Sequence, residues 1–152
     1  MTGLNHEHPE FRGKKVLIVE DDDETARVTR CMAERQGFKV VRAENGAIAL
    51  DKIVTERPDV VLVDVVMPVM DGLQFLAALR KAPHAQDIPV IVLALQSDDA
   101  MVNAAWQGGA TLYLPKPFSC HELTTVLRHV LADAEAMRKA RKAQPAAMPA
   151  LP

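Results

Sequence analysis

Apolar residues gather in short, nearly unbroken runs at regular intervals along the chain. Val16-Leu-Ile-Val19, Val60-Val-Leu-Val63 and Val90-Ile-Val-Leu93 are rich in β-branched residues. Runs of this kind read as strands covered on both faces, as in a parallel sheet. Lys39-Val-Val-Arg42 mixes apolar and charged residues and suits an edge strand, while Thr111-Leu-Tyr-Leu114 supplies a fifth. Between the runs, apolar positions recur at helical spacing. A first helix is predicted from about Glu24 to Gln36, ending before Gly37, which suits the position just past a helix terminus. A second follows Gly46 and runs to about Arg57, where Pro58 stops it. A third begins near Gly72 and ends before Pro83, and a fourth is capped by Ser97 or Asp98. The fifth opens at Ser119, with Glu122 placed to complete a capping box, and extends as far as Lys142.

Strict alternation of five strands with five helices predicts an α/β, doubly wound parallel sheet with right-handed crossovers. The flanks differ from this pattern. Residues 1–12 read as a flexible leader, 13–142 as the folded domain with an extended last helix, and 143–152, Pro/Ala-rich, as a disordered tail. No attached output module is expected.

Composition narrows the function. Charged residues make up 25% and the hydrophobic class 49%, which fits an ordinary globular domain. A net charge of −2 and scarce aromatics argue against a nucleic-acid surface. No apolar stretch is long enough to span a bilayer, and the polar N-terminus lacks a signal peptide's apolar core. Cys31 and Cys120 form no ligand motif and read as reduced thiols in a cytoplasmic protein.

The chemistry lies where the strands end. In a doubly wound sheet, ligands sit outside the carboxyl ends of the strands, where the strand order reverses. The first strand runs into Glu20-Asp21-Asp22-Asp23, the third into Asp64, the fourth into Ala94 and the fifth toward Lys116. Crowded carboxylates repel in a low-dielectric cleft, and an oxygen-seeking divalent ion such as Mg²⁺ relieves them. Asp22 and Asp23 read instead as the solvated start of the first helix, favoured by its dipole, and Asp71-Gly72 as a turn.

The stretch Leu62-Val-Asp-Val-Val-Met-Pro-Val-Met-Asp-Gly72 resembles the phosphoacceptor motif of bacterial response-regulator receiver domains. Val16-Leu-Ile-Val-Glu-Asp-Asp22 upstream and Leu114-Pro-Lys-Pro-Phe118 downstream extend the likeness over roughly residues 14–135. The resemblance implies a flavodoxin-like receiver fold with strand order 2-1-3-4-5. It implies that Asp64 takes a phosphoryl group from a histidine kinase or histidine phosphotransfer protein, without turning over a separate substrate. By the same resemblance Asp21, Asp64 and the backbone carbonyl of Val66 hold Mg²⁺, Glu20 acts through water, and Lys116 pairs with Asp64 and then with the phosphoryl oxygens. It also implies a cis Lys116–Pro117 bond.

One position departs from the family pattern. Where receivers carry Thr or Ser at the end of the fourth strand, this chain has Ala94, although the aromatic switch partner survives as Tyr113. Losing a hydrogen bond to an anionic group costs about 1.5–3 kcal/mol of preference for the active state. Leu95 is expected to crowd the path by which the Tyr113 ring turns inward. Val66 and Gln96 stand at the two positions that tune hydrolysis in the family, and neither offers an acid or base. The expected partners are the phosphodonor on the first helix, and a target protein or second copy on the face of helix 4, strand 5 and helix 5, near Trp106. The basic run Arg138–Lys142 reads as a solvated helix end. Neither nucleic acid nor membrane is expected as a partner. Two competing classes are a phosphorylation-independent pseudo-receiver, motivated by Ala94, and an Asp-nucleophile phosphohydrolase. The latter is disfavoured because Val66 stands where its general acid would be.

Overall fold

The structure, a computed structural model, describes residues 8–67, 69–83, 85–95 and 99–143, the last three without their side chains. Five strands, β1 Lys15–Val19, β2 Lys39–Ala43, β3 Val60–Asp64, β4 Val90–Leu95 and β5 Leu112–Lys116, alternate with five helices. The helices are α1 Asp23–Arg35, α2 Gly46–Glu56, α3 Gly72–Lys81, α4 Asp99–Gln107 and α5 Cys120–Ala143. All pairings are parallel, in the order β2-β1-β3-β4-β5. This is the expected doubly wound sheet, with β2 and β5 at its edges. Pro115 lies on β5, where an edge strand tolerates a residue that cannot donate to the ladder.

Alternation along the strands divides the core into two layers. Leu17, Val19, Val61, Val63, Val90 and Val92 face Ile53 of α2 and Phe75, Leu76 and Leu79 of α3. Val16, Ile18, Val60, Leu62, Ile91 and Leu93 face α1 and α5 through Ala33, Leu123, Leu127 and Val130. Covering both faces is why these strands read as continuous apolar runs.

Helix ends follow local chemistry. Asp22 caps α1 by accepting from the Thr25 amide at 2.8 Å, and Gly37 (φ +109°) follows its C-terminus in the left-handed region. Ser119 and Glu122 form the expected reciprocal bonds at the start of α5. Gly72 begins α3, as the predicted helix start near Gly72 requires, and Asp71, expected only as part of a turn, is its cap. Asp71 accepts from the Gln74 amide at 2.9 Å while Gln74 Oε1 accepts from the Asp71 amide at 3.0 Å. The expected cap of α4 at Ser97 or Asp98 falls outside the described residues, as do Gln96, residues 1–7 of the leader and 144–152 of the tail.

Packing begins before residue 13, the expected boundary. Pro9–Phe11 form a short 3₁₀ turn, the His8 amide donates to the Gln36 carbonyl at 3.0 Å, and Phe11 is buried in the α1/α5 layer. Its ring stacks on Phe38 with centroids 4.6 Å apart. Periodicity missed this anchor because one aromatic in a polar segment makes no repeating pattern. Among the described residues, no helix is long and apolar enough to cross a membrane.

Candidate functional site

The chain leaves β1 toward α1 on one side of the sheet, while β3 pairs on β1's other side. The crevice at this reversal receives the residues that follow each strand. Glu20 comes one residue past β1, Asp64 ends β3 and Lys116 ends β5. Carboxylate oxygens of Glu20, Asp21 and Asp64 lie within 4.8 Å of one another, with Glu20 and Asp64 buried and Asp21 exposed. Lys116 Nζ donates to Asp64 Oδ2 at 2.8 Å and stands 3.7 Å from Glu20 Oε1. The Lys116–Pro117 bond is cis, as expected.

Electrostatics reflect this crowding. Burial, then the neighbouring Asp64 charge, push the Glu20 carboxyl up to about 7 against the partial relief that Lys116 gives. Burial disfavours the Lys116 ammonium, but its bond to Asp64 and the adjacent carboxylates outweigh that and hold its pKa above the ordinary lysine value. Glu20 Oε1 is buried without a hydrogen-bond partner among the described residues. A buried carboxylate oxygen with the Lys116 ammonium no nearer than 3.7 Å, beside two more carboxylates, is a donor set of hard oxygens suited to a small divalent cation.

Local structure fixes Asp64. Its Oδ1 accepts from the Val66 amide at 3.2 Å, and the Val65 carbonyl accepts from the Gly72 amide at 3.0 Å. A Cβ on Gly72 would lie 2.5 Å from the Asp64 carbonyl oxygen, so only glycine lets α3 start this close to the strand end. Val66 presents its side chain to solvent, 72% exposed, and offers no acid or base there.

Ala94 lies on the same face of the sheet as Tyr113. The Tyr113 hydroxyl donates to the Leu95 carbonyl at 2.8 Å. Leu95 does not share that face. By the alternation of β4 its side chain lies on the opposite face, beside a cavity also lined by Val28, Met32 and Phe118, and is largely exposed. Trp106 is about half-exposed on α4, and Arg138 and Lys139 are exposed on the last turns of α5.

One contributor escaped the sequence reading. Arg42, at the end of edge strand β2, donates to the Glu20 carbonyl from Nε at 3.0 Å and from Nη2 at 2.7 Å. Its Nη1 meets Asp23 Oδ1 at 2.7 Å. Only the register pairing Arg42 with Ile18 reveals this reach.

The sequence matches the family described as response regulator receiver domain over residues 16–128. A response regulator, MprA, of Mycolicibacterium vanbaalenii is 37% identical over 117 residues, covering 77% of this chain and 50% of that one. The chain thus spans about half the length of the curated relatives it matches. Among solved structures, a chemotaxis response regulator of Vibrio cholerae superposes with a TM-score of 0.72 at 32% identity, covering 77% of this chain and 98% of that one. The receiver domain of a sensor histidine kinase from Pseudomonas aeruginosa gives a TM-score of 0.74 at 28% identity over 79% of this chain and 98% of its own, and holds magnesium in its active-site cleft. With this fold, this crevice and a match spanning most of its length, the chain belongs to the response regulator receiver-domain family of two-component signalling.

Proposed function

We propose that Asp64 accepts a phosphoryl group from a histidine kinase or histidine phosphotransfer protein in a Mg²⁺-dependent reaction. One observation carries this reading: a buried carboxylate at the end of β3, with an ammonium 2.8 Å away and two further carboxylates beside it. Asp21, Asp64 and the Val66 carbonyl would hold the ion, with Glu20 acting through water. Mg²⁺, when bound, neutralises charge on the phosphoryl oxygens.

An Asp64 carboxylate oxygen attacks phosphorus, the P–N bond to the donor imidazole breaks, and the departing nitrogen keeps the electron pair. Lys116 pairs with the Asp64 carboxylate beforehand and afterwards donates to a phosphoryl oxygen. The product is an acyl phosphate on the protein itself, so the domain is a phosphoacceptor, not a turnover enzyme. Since the Val66 side chain cannot activate water, hydrolysis of that acyl phosphate is slow. Labelling with acetyl phosphate, dependent on Mg²⁺ and abolished in Asp64→Asn, tests the reading.

A second reading rests on Ala94, which has no hydroxyl to draw toward a phosphoryl group. Phosphorylation then leaves the usual Thr–Tyr relay weak or replaced, and in the limit the domain is a phosphorylation-independent docking module for a target protein. Absence of labelling decides for the docking module. If labelling occurs, beryllofluoride should produce a reduced spectral change across α4 and β5, enlarged in Ala94→Thr. A full-sized change in the unaltered chain refutes the weakened relay.

A further inference from the structure

We infer that Arg42 is a positioning residue for the cation site, holding the peptide unit that carries Asp21 in the orientation the acidic cluster requires. The inference rests on the reading of Glu20, Asp21 and Asp64 as a Mg²⁺ site.

The β1–β2 ladder ends at the pair Val19 and Ala43. Beyond it, the Glu20 amide still donates to the Ala43 carbonyl at 3.0 Å. Among the described residues, no backbone donor continues the ladder to the Glu20 carbonyl. The Arg42 guanidinium takes that place with two donors, at 3.0 and 2.7 Å. That carbonyl belongs to the peptide joining Glu20 to Asp21, so a two-point grip restrains the plane from which the Asp21 side chain departs. Glu20 and Asp21 lie on either side of this one peptide, which fixes where both carboxylates can meet Asp64.

The guanidinium is itself anchored. Asp23 Oδ1 receives Nη1 at 2.7 Å, and the Arg42 carbonyl accepts from Lys52 Nζ at 2.8 Å. The Arg42 side chain is about three-quarters covered, with 24% exposed, whereas Asp23 remains open to water at 77%. The carbonyl bonds are therefore the part of the cluster shielded from solvent, and they require the planar fork of arginine.

The sign of the effect separates positioning from charge. A cation beside a cation site repels the incoming ion, so discarding Arg42 for its charge alone would tighten Mg²⁺ binding. Loss of positioning weakens it, by roughly tenfold or more, as when groups that orient metal ligands are removed. Titration of Mg²⁺ alone, followed by calorimetry and by the amide resonances of Asp21 and Asp64, compares the wild type with Arg42→Gln, Arg42→Lys and Asp23→Asn. Urea unfolding in chelator reports the folded fraction of each.

We expect weaker binding in Arg42→Gln with the chain fully folded, a comparable loss in Arg42→Lys despite its retained charge, and a smaller loss in Asp23→Asn. Equal or tighter binding in folded Arg42→Gln overturns the inference. If that variant does not fold, wild-type affinity in Arg42→Lys overturns it. A wild type that binds no Mg²⁺ removes the cation-site reading itself and this inference with it. That outcome is distinct, because it is read before any variant is compared.

Discussion

Replacing Glu20 by glutamine keeps the shape of the side chain and removes its charge. In the folded chain, burial and the neighbouring Asp64 charge hold the Glu20 carboxyl at about 7, against an ordinary 4.5. At about 1.36 kcal/mol per pH unit, ionising a carboxyl so displaced costs the folded state roughly 3 kcal/mol. The unfolded chain gives up this proton near pH 4.5 and the folded chain near pH 7. Between those values the folded state binds the extra proton, so stability falls as pH rises, and the full cost is present above the upper value. Lys116, whose pKa is raised, stays charged throughout and adds no slope. Urea unfolding in chelator at a series of pH values, on the wild type and Glu20→Gln, measures the effect. The stability difference between the two should shift in favour of the variant by roughly 2–3 kcal/mol between about pH 5 and pH 8. Added Mg²⁺ should recover much of the loss in the wild type at the upper pH and less in the variant, because a cation bound only by the folded state stabilises it by mass action. Parallel pH profiles for the two proteins would refute the reasoning.

Three further substitutions probe the frame around the site. Val69 occupies the left-handed region at φ 69°, costly for a β-branched residue, so Val69→Asn should stabilise the chain by about 1 kcal/mol in chemical denaturation. Unchanged or lower stability would contradict that strain. Gly72→Ala would place a methyl 2.5 Å from the Asp64 carbonyl oxygen and 2.9 Å from the Val65 Cα, backbone atoms that cannot swing aside. It should cost roughly 2–3 kcal/mol and slow acetyl phosphate labelling per folded molecule; normal values of both would show that α3 shifts freely. Phe11→Ala should cost roughly 3–5 kcal/mol, as for a core aromatic, whereas a loss near zero would mean that the segment before residue 13 adds nothing to the core.

How far the sequence discloses this molecule depends on whether a feature is local. The three inner strands are legible because burial on both faces leaves continuous apolar runs, and the crevice is legible because Glu20 directly follows β1 while Asp64 and Lys116 end β3 and β5. The start of α3 near Gly72 is legible, but the cap role of Asp71 is not, because Asp71-Gly72 suits a turn as well as a helix start. Gln74, three residues on, decides for the helix by returning the bond. Arg42 and Phe11 were invisible because their partners, Glu20 and Phe38, are set by pairing and packing rather than spacing.

Leu95 is the most instructive case, since period-two alternation alone places it on the opposite face from Ala94 and hence from Tyr113. Its side chain therefore lies on the other face from the Tyr113 ring, while its carbonyl accepts from the Tyr113 hydroxyl. Of the two departures at the switch, the missing hydroxyl at Ala94 is the one on the Tyr113 face. A single substitution, Ala94→Thr, tests that difference. If the spectral response to beryllofluoride stays small in that variant, the hold of the Leu95 carbonyl on Tyr113 becomes the next restraint to remove.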